Sequence, residues 1–267
     1  MFERERTRHR FTARPATVTT VTDVGDYVRV TLSGDTFADF ASTGPTDHMR
    51  VYFPNPVTGE LVAPVADGDD GITRPAAQTF GRDFTPLNVR DTGTTRSVDI
   101  DILRHADAGP AAQWGARVAV GDELVVVGPR GSASAPQDAE RALLVVDGTA
   151  LPAASRFVEL LPESTDIDVL VYGDVTEDAA RAYLGDARRY TVTEAQLELT
   201  DEARDLAPDA GTFVFAAGEA SALLPLRRYL RRELGLGPAQ AAVSGYWRTG
   251  VVAWDHHAPI DPFDPED

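Results

Sequence analysis

The segment Gly81-Arg82-Asp83-Phe84-Thr85-Pro86 places a cation, an aromatic ring and a hydroxyl group next to one another. Side chains alternate between the two faces of an extended chain, so Arg82 and Phe84 share a face, while Thr85 lies on the other face or in the following turn. A guanidinium beside a flat ring suits a ligand with a phosphate at one end and a ring system at the other. The segment therefore predicts a ligand clamp.

A second segment, His105-Ala106-Asp107-Ala108-Gly109-Pro110-Ala111-Ala112-Gln113-Trp114, is typical of a loop that turns into a helix. Pro110 stands where a first helical residue is expected, and free backbone N–H groups at such a position suit an anion. Together the two segments predict a dinucleotide held by its diphosphate and by a ring, for which a flavin is one candidate. Plainer interpretations stay open, because Arg-x-aromatic-Thr occurs by chance in strands and Gly-Pro often marks a simple turn.

The composition is that of a globular protein with one large domain or two ordinary ones, since 43% of the 267 residues are hydrophobic and 8% aromatic. No apolar run approaches the length of a membrane span, and the mixed charges of Met1-Phe2-Glu3-Arg4-Glu5-Arg6 are not typical of a secretory signal. We therefore expect a cytoplasmic protein without a membrane partner. Whether it is a monomer or a homodimer stays open.

Two features of the composition restrict the chemistry. The absence of cysteine excludes disulfides, thiolate nucleophiles and iron–sulfur clusters, so redox chemistry would need a bound organic cofactor or a metal with other ligands. The net charge of −17 argues against nucleic-acid binding. We predict no metal site, because the adjacent pair His256-His257 beside an acidic tail is better interpreted as incidental.

The first half of the chain has short strands at hairpin spacing and one late helix. The predicted strands are residues 17–21, 27–32, 47–54, 84–89, 97–103 and 123–127, and the helix is 111–118. This pattern predicts a six-stranded antiparallel barrel within a first domain, residues 1–131. Residues 1–14 are expected to form a loose arm, and 57–77 an irregular excursion.

The second half alternates strands with helices, after a composition shift at residues 131–137 that is typical of a link. The predicted strands are 142–146, 167–172, 188–193, 213–217 and 242–246, and the helices are 150–161, 176–184 and 220–234. Such alternation predicts a Rossmann-like parallel sheet covered by helices on both faces, within a second domain, residues 138–267.

Ligands of open parallel sheets bind beyond the carboxyl ends of the strands. Three segments stand at such ends, namely Asp147-Gly148-Thr149, Ala216-Ala217-Gly218-Glu219 and Ser244-Gly245-Tyr246-Trp247-Arg248. Glycine allows close approach of a ligand, and a threonine hydroxyl can serve a helix cap or a diphosphate. Ordinary turns with a packed tryptophan explain the same residues, so both interpretations stay open.

The order of these motifs resembles the siderophore-interacting protein family of ferredoxin-reductase-like flavoproteins. The matching segments are Arg82-x-Phe84-Thr85, His105-x-x-x-Gly109-Pro110-Ala111-x-x-Trp114, Gly121-Asp122-Glu123-Leu124, Gly128-Pro129-Arg130-Gly131, Asp147-x-Thr149-Ala150-x-Pro152-Ala153, Ala217-Gly218-Glu219 and Gly245-Tyr246-Trp247-Arg248-x-Gly250. The resemblance implies an FAD-binding barrel followed by an NAD(P)H-binding domain. It also implies an enzyme that reduces ferric siderophores with electrons from NADH or NADPH, with no catalytic side chain.

The resemblance assigns roles to matching residues. Arg82 would pair with the flavin diphosphate, Phe84 would pack along the isoalloxazine ring, and Thr85 would bond the ribityl chain or ring. The remaining implied flavin residues are His105 on the adenine or ribose side, Gly109, Pro110, Ala111 and Ala112 around the diphosphate, and Trp114 behind that helix. For His105 a structural role is an equal alternative.

The resemblance also implies residues for the electron donor and the substrate. The nicotinamide nucleotide would meet Asp147, Thr149, Ala217, Gly218 and Glu219, and the cofactor-binding Trp247 would lie close to the flavin and substrate side. The ferric complex would meet Arg50, Arg130 and Arg248, for which ion pairing with some of the 42 acidic residues is the plainer interpretation.

Four residues depart from the family pattern and keep other functions open. Phe84 replaces a frequent Tyr, Leu87 an Arg, Ala112 a Ser and Gly148 a Glu. The alternatives are a general NAD(P)H-flavin or diaphorase-type reductase and a non-catalytic protein that binds a siderophore or flavin.

Overall fold

The computed structural model describes residues 2–104, 109–173, 175–185, 189–193, 199–252 and 254–264, which fall into two compact units. The first unit is Glu5–Ser134, and the second combines Met1–Arg4 with Ala135–Asp267. The first residues join the second unit because the buried Phe2 ring lies 5.9 Å from the ring of Phe213.

The first unit is built from antiparallel strands and one short helix. The elements are β1 (Arg6–Arg8), β2 (Ala13–Val24), β3 (Tyr27–Ser33), β4 (Met49–Phe53), β5 (Val65–Ala66), β6 (Ile72–Thr73), β7 (Phe80–Phe84), β8 (Leu87–Asp91), β9 (Arg96–Leu103), α1 (Pro110–Gly115), β10 (Glu123–Val127) and β11 (Gly131–Ala133). Seven strands form one sheet in the order β7-β4-β10-β2-β3-β9-β8, and β1 pairs with β11 and β5 with β6. A single turn of 3-10 helix, Asp35–Phe37, follows β3.

The sheet curls into a barrel-like form around a single hydrophobic core. Phe84 of β7 and Val89 of β8 come from the two outermost strands, yet both pack against the same core residues. Alternate residues of the inner strands fill this core, as with Val28, Val30 and Leu32 of β3. The antiparallel barrel predicted from the sequence is thereby confirmed.

Three local predictions for this unit are wrong. The predicted strand 84–89 is two strands, because Pro86 has no backbone N–H to donate to a ladder and β7 and β8 end and begin on either side of it. The sheet therefore has seven strands instead of six. Residues 1–14 are not a loose arm, since they contain β1 and the start of β2, and the excursion 57–77 contains the β5–β6 pair.

The second unit is a parallel α/β layer structure. Its elements are β12 (Arg141–Val146), α2 (Leu151–Leu160), β13 (Asp166–Tyr172), α3 (Glu177–Leu184), β14 (Arg189–Thr193), α4 (Leu199–Asp205), β15 (Thr212–Glu219), α5 (Ala220–Arg228) and β16 (Ala241–Trp247). All strand pairs are parallel, in the order β14-β13-β12-β15-β16. Every residue of β15 is buried, as expected of a strand covered on both faces. The predicted Rossmann-like sheet is confirmed.

Two helices differ from the sequence-based expectation. Helix α4 is not predicted, because only Leu199 and Ala203 mark its buried side within an acidic stretch. The predicted helix 220–234 is α5 followed by a π-helical turn, Tyr229–Glu233. In the described part of the chain, the helices are too short and too polar to cross a membrane.

Candidate functional site

Strand β7 carries a half-buried arginine whose charge has no carboxylate partner. Among the described residues Arg82 forms no ion pair, and its guanidinium donates to the carbonyl oxygen of the adjacent Gly81 at 2.7 Å. Burial lowers the pKa of Arg82, the nearby Arg50 lowers it further, and Asp83 opposes them. A cation in this environment has donors available for an anionic ligand, as the sequence predicts.

Aromatic rings connect this strand to helix α1. Phe84 meets Phe53 edge-on, with ring centroids 5.9 Å apart, and Phe53 lies 5.2 Å from Trp114. Trp114 is buried in the core of the barrel, and α1 packs against β7, β4 and β9. The structure therefore brings the Arg82 strand and the helix of the second predicted segment together.

The start of α1 offers backbone donors. Pro110 occupies the first helical turn after Gly109, so the N–H groups of Ala111 and Ala112 have no carbonyl one turn earlier in the helix to bond. A Cβ atom placed on Gly109 would meet nothing within 4 Å among the residues that the structure describes. His105 lies outside the described residues.

The hydrogen-bond donors of the first unit thus fit a flavin dinucleotide. It provides a cation without a carboxylate, free backbone donors at a helix start, and the hydroxyl of Thr85, which has no side-chain partner among the described residues. Leu87 is buried at the start of β8, and its apolar side chain offers a ligand no hydrogen bond.

In the second unit, the carboxyl ends of three strands meet at the buried carboxylate of Asp147. The backbone N–H and hydroxyl of Thr149 donate to its Oδ1 at 2.9 and 2.6 Å. The indole N–H of Trp247 and the backbone N–H of Glu219 donate to its Oδ2 at 2.8 and 2.9 Å. Burial raises the pKa of Asp147, and these hydrogen bonds act in the opposite direction. Asp147 thereby ties β12 to β15 and β16.

Glu219 is the second buried acid at this edge. Its carboxylate accepts from the backbone N–H of Ala222 at 2.7 Å, as the N-cap of α5, and from that of Thr249 at 2.9 Å. Glu219, Asp147 and Trp247, all predicted as cofactor-binding, are brought together by the fold. The backbone N–H of Glu219 and the indole N–H of Trp247 both donate to Asp147, so these three residues hold the carboxyl edge of the sheet in place.

Gly218 is required where it stands. It has φ of 141°, and a Cβ atom there would lie 2.4 Å from both Asp147 Cγ and the hydroxyl oxygen of Tyr172. The backbone of the buried Ala217 accepts from the N–H of Asp147 at 3.3 Å. Residue 218 is therefore a glycine because Asp147 and Tyr172 fill the space that a side chain would need.

Tyr172 was not singled out by the sequence analysis. It ends β13 at the same edge, and its buried hydroxyl has no hydrogen-bond partner among the described residues. Burial and the neighbouring Asp147 raise the pKa of this hydroxyl. Its position at a strand end was the available signal, but an apolar strand ending in tyrosine is too common to be informative.

The arginines of α5 and the following turn all bind protein groups. Arg227 and Arg228 pair with Asp264 and Asp261 at 3.2 and 2.8 Å. Arg231 donates to the carbonyl groups of Leu236 and Ala241, and Arg232 lies 3.4 Å from Asp261. This region therefore anchors the C-terminal tail, and it offers no guanidinium free for a nucleotide phosphate.

The three predicted substrate arginines have different surroundings. Arg50 pairs with Asp83 at 2.9 Å, on strands β4 and β7. Arg130 lies over the ring of Phe11 at 4.2 Å, and Arg248 lies 5.4 Å from the ring of Trp254. Arg50 and Arg130 belong to the first unit and Arg248 to the second.

Both units match descriptions of known families. Residues 17–133 match a model described as the siderophore-interacting FAD-binding domain, and residues 139–250 match one described as siderophore-interacting protein. The chain belongs to the siderophore-interacting protein family. A member of known structure, a siderophore utilization protein from T. fusca, is 35% identical, with a TM-score of 0.83 over 96% of this chain and 100% of that one.

Two relatives of the family have names that state an activity. An NADPH-dependent ferric-chelate reductase of Escherichia coli (strain K12) is 28% identical over 252 residues, 91% of this chain and 96% of that protein. A ferric vibriobactin reductase of Vibrio cholerae is 26% identical over 240 residues, 86% of this chain and 87% of that protein.

Proposed function

We propose that the chain is an FAD-dependent NAD(P)H oxidoreductase that reduces ferric siderophores and so releases Fe(II) in the cytoplasm. The observation that carries the proposal is Arg82, a half-buried cation without a carboxylate partner, beside the start of α1. The reductase names of the two relatives support the same reaction, and the use of NAD(P)H favours the cytoplasm as its location.

We assign the flavin to residues 1–131. Arg82 would offset part of the charge of the diphosphate, the N–H groups of Ala111 and Ala112 would bond its oxygens, and Phe84 would pack along the ring. FAD held there would supply the capacity to take two electrons as a hydride and to release them one at a time, so that two ferric complexes would be reduced per NAD(P)H. Fe(II) is a softer and more labile partner for oxygen ligands than Fe(III), so the siderophore releases it.

We assign the nicotinamide nucleotide to residues 138–267. Parallel sheets bind such ligands at this carboxyl edge, where Gly218 lets the backbone of β15 approach Asp147 and Tyr172 closely and where the buried Asp147 and Glu219 hold the edge in shape. The indole of Trp247 is fixed at the same edge by its bond to Asp147.

Steady-state turnover tests the proposed function. We expect the FAD-loaded protein to oxidise NADH or NADPH faster with ferric siderophores than with quinones or dyes as acceptors. Preference for the quinones or dyes would contradict the siderophore assignment and favour a diaphorase. A protein that binds FAD but is never bleached by either nucleotide under anaerobic conditions would instead be a binding protein.

A further inference from the structure

An open groove of about 440 Å³ lies within the first unit, and the predicted flavin residues of β7 and α1 are not among those that line it. Strand β1 forms one wall with Arg6, Thr7 and Arg8, and the segments 46–48 and 130–133 form the rest. We call it the β1 groove. Its volume lies within the range of small-molecule sites, about 300–1,000 Å³.

The β1 groove is basic although the chain has a net charge of −17. Arg6 and Arg130 are exposed and form no ion pair among the described residues, while Arg8 pairs with Asp70. The one acid that lines the groove, Asp47, is buried. A local excess of positive charge on an acidic protein attracts anions of matching size.

Hydrogen bonds beneath the groove hold the buried carboxylate of Asp47 in place and fix the wall. Its Oδ2 accepts from the hydroxyl groups of Ser42 and Ser132 at 2.9 and 2.5 Å and from the N–H of Gly44 at 3.0 Å. His9 Nε2 lies 2.6 Å from the same Ser132 hydroxyl. The floor is therefore a connected polar network.

Strand pairing sets the positions of the arginines. In the ladder of β1 with β11, Arg6 lies opposite Ala133 and Arg8 opposite Gly131. A Cβ atom on Gly131 would lie 2.6 Å from the carbonyl oxygen of Thr7, so the two strands are in close contact there. Arg6 and Arg8, two residues apart in a strand, lie on the same face.

One end of the β1 groove reaches the predicted flavin clamp. Met49 of β4 lies opposite Phe84 of β7, and His48, which lines the groove, directly precedes Met49. Paired strands are about 4.8 Å apart, so His48 lies about one strand spacing from the Phe84-Thr85 turn. A ligand in the groove would have its inner end beside the residues assigned to the isoalloxazine ring.

We propose that the β1 groove docks the ferric substrate as an anionic oxygen-donor chelate, and that Arg6 and Arg8 select for negative charge. This inference rests on the proposed function, whose substrate it narrows to complexes with a net negative charge. Arg6 and Arg8 add β1 to the substrate site, beyond the three arginines expected from the family motifs.

Binding of redox-inert gallium(III) chelates to the FAD-loaded protein tests the groove separately from the reaction. The variant Arg6→Gln/Arg8→Gln is compared with Arg74→Gln/Arg117→Gln, which removes two exposed arginines of the same unit outside the groove. We expect the Kd of a trianionic tris-catecholate gallium complex to rise about tenfold or more in the groove variant, equivalent to about 1.4 kcal/mol or more. The Kd of a neutral tris-hydroxamate complex should stay the same.

Equal affinity of the groove variant and the wild type for the trianionic complex would overturn the groove proposal, even if ferric reduction is normal. Equal weakening by both variants would also overturn it, because the effect would then be one of overall charge. The single variant Arg6→Glu, which keeps the Arg8–Asp70 pair, should weaken trianion binding at least as much as Arg6→Gln. Failure of ferric reduction with intact, charge-selective gallium binding would contradict the proposed function and leave the groove assignment standing.

Discussion

At the residue scale, the central feature is a guanidinium that the protein does not neutralise. Other half-buried or buried arginines pair with an acid, as Arg29 does with Asp101 and Arg227 with Asp264. Arg82 bonds only its neighbouring carbonyl within the described residues, and burial lowers its pKa. Such a cation is maintained at a cost in stability, which a bound diphosphate would offset.

The variant Arg82→Ala should bind FAD more weakly. Hydrogen bonds to charged groups contribute about 1.5–3 kcal/mol, which corresponds to a rise of the FAD Kd by about 10-fold to 100-fold. Isothermal titration of the FAD-free protein with FAD measures this Kd directly. The matched control is Arg74→Ala, an exposed arginine of the same unit with no partner among the described residues. An FAD affinity unchanged by Arg82→Ala would show that β7 does not hold the diphosphate.

At the element scale, the sequence predicts most strands because their apolar residues form continuous or alternating runs. The break between β7 and β8 was missed, although Pro86 marks it, because the apolar pattern continues on both sides. Asp147, Glu219 and Trp247 were recognised from their places at strand ends. Their mutual hydrogen bonds were not predictable, because the bonded residues are 72 and 100 positions apart and only the parallel register joins them.

The β8–β9 pair should make stability dependent on pH. Burial raises the pKa of Asp99, but hydrogen bonds from Arg90, Asn88 and Thr31 outweigh it and hold that pKa below the ordinary value of 3.8. A lowered carboxyl pKa stabilises the fold above the unfolded-state value, and this contribution is lost as the pH falls through 3.8 and below. Asp99→Asn should therefore be destabilising near neutral pH and much less so in acid.

Urea unfolding at about pH 6 and about pH 2 measures the difference between wild type and Asp99→Asn above and well below the ordinary carboxyl pKa. The control is Asp91→Asn, an exposed acid in the same strand pair. A destabilisation by Asp99→Asn that is the same at both pH values would show that the charge of Asp99 is not what stabilises the strand pair.

At the scale of the whole molecule, charge is distributed unevenly. A chain with a net charge of −17 presents Arg6, Arg8 and Arg130 in one groove of its first unit, while the arginines that follow β15 are used to anchor the acidic tail. The chain has no lysine, so the composition alone shows that any anion site must use arginine, histidine or backbone N–H groups. It did not reveal which arginines remain available, because that depends on acids distant in sequence.

The anaerobic yield of Fe(II) per NAD(P)H tests most directly whether the chain is a ferric-siderophore reductase. The FAD-loaded protein is mixed with a limiting amount of NADH or NADPH and an excess of an anionic ferric siderophore, and Fe(II) is trapped with a coloured chelator. We expect two Fe(II) to form for each nucleotide oxidised, because a hydride carries two electrons and each Fe(III) accepts one. Oxidation of the nucleotide without Fe(II), or no oxidation by a protein that has bound FAD, would contradict it.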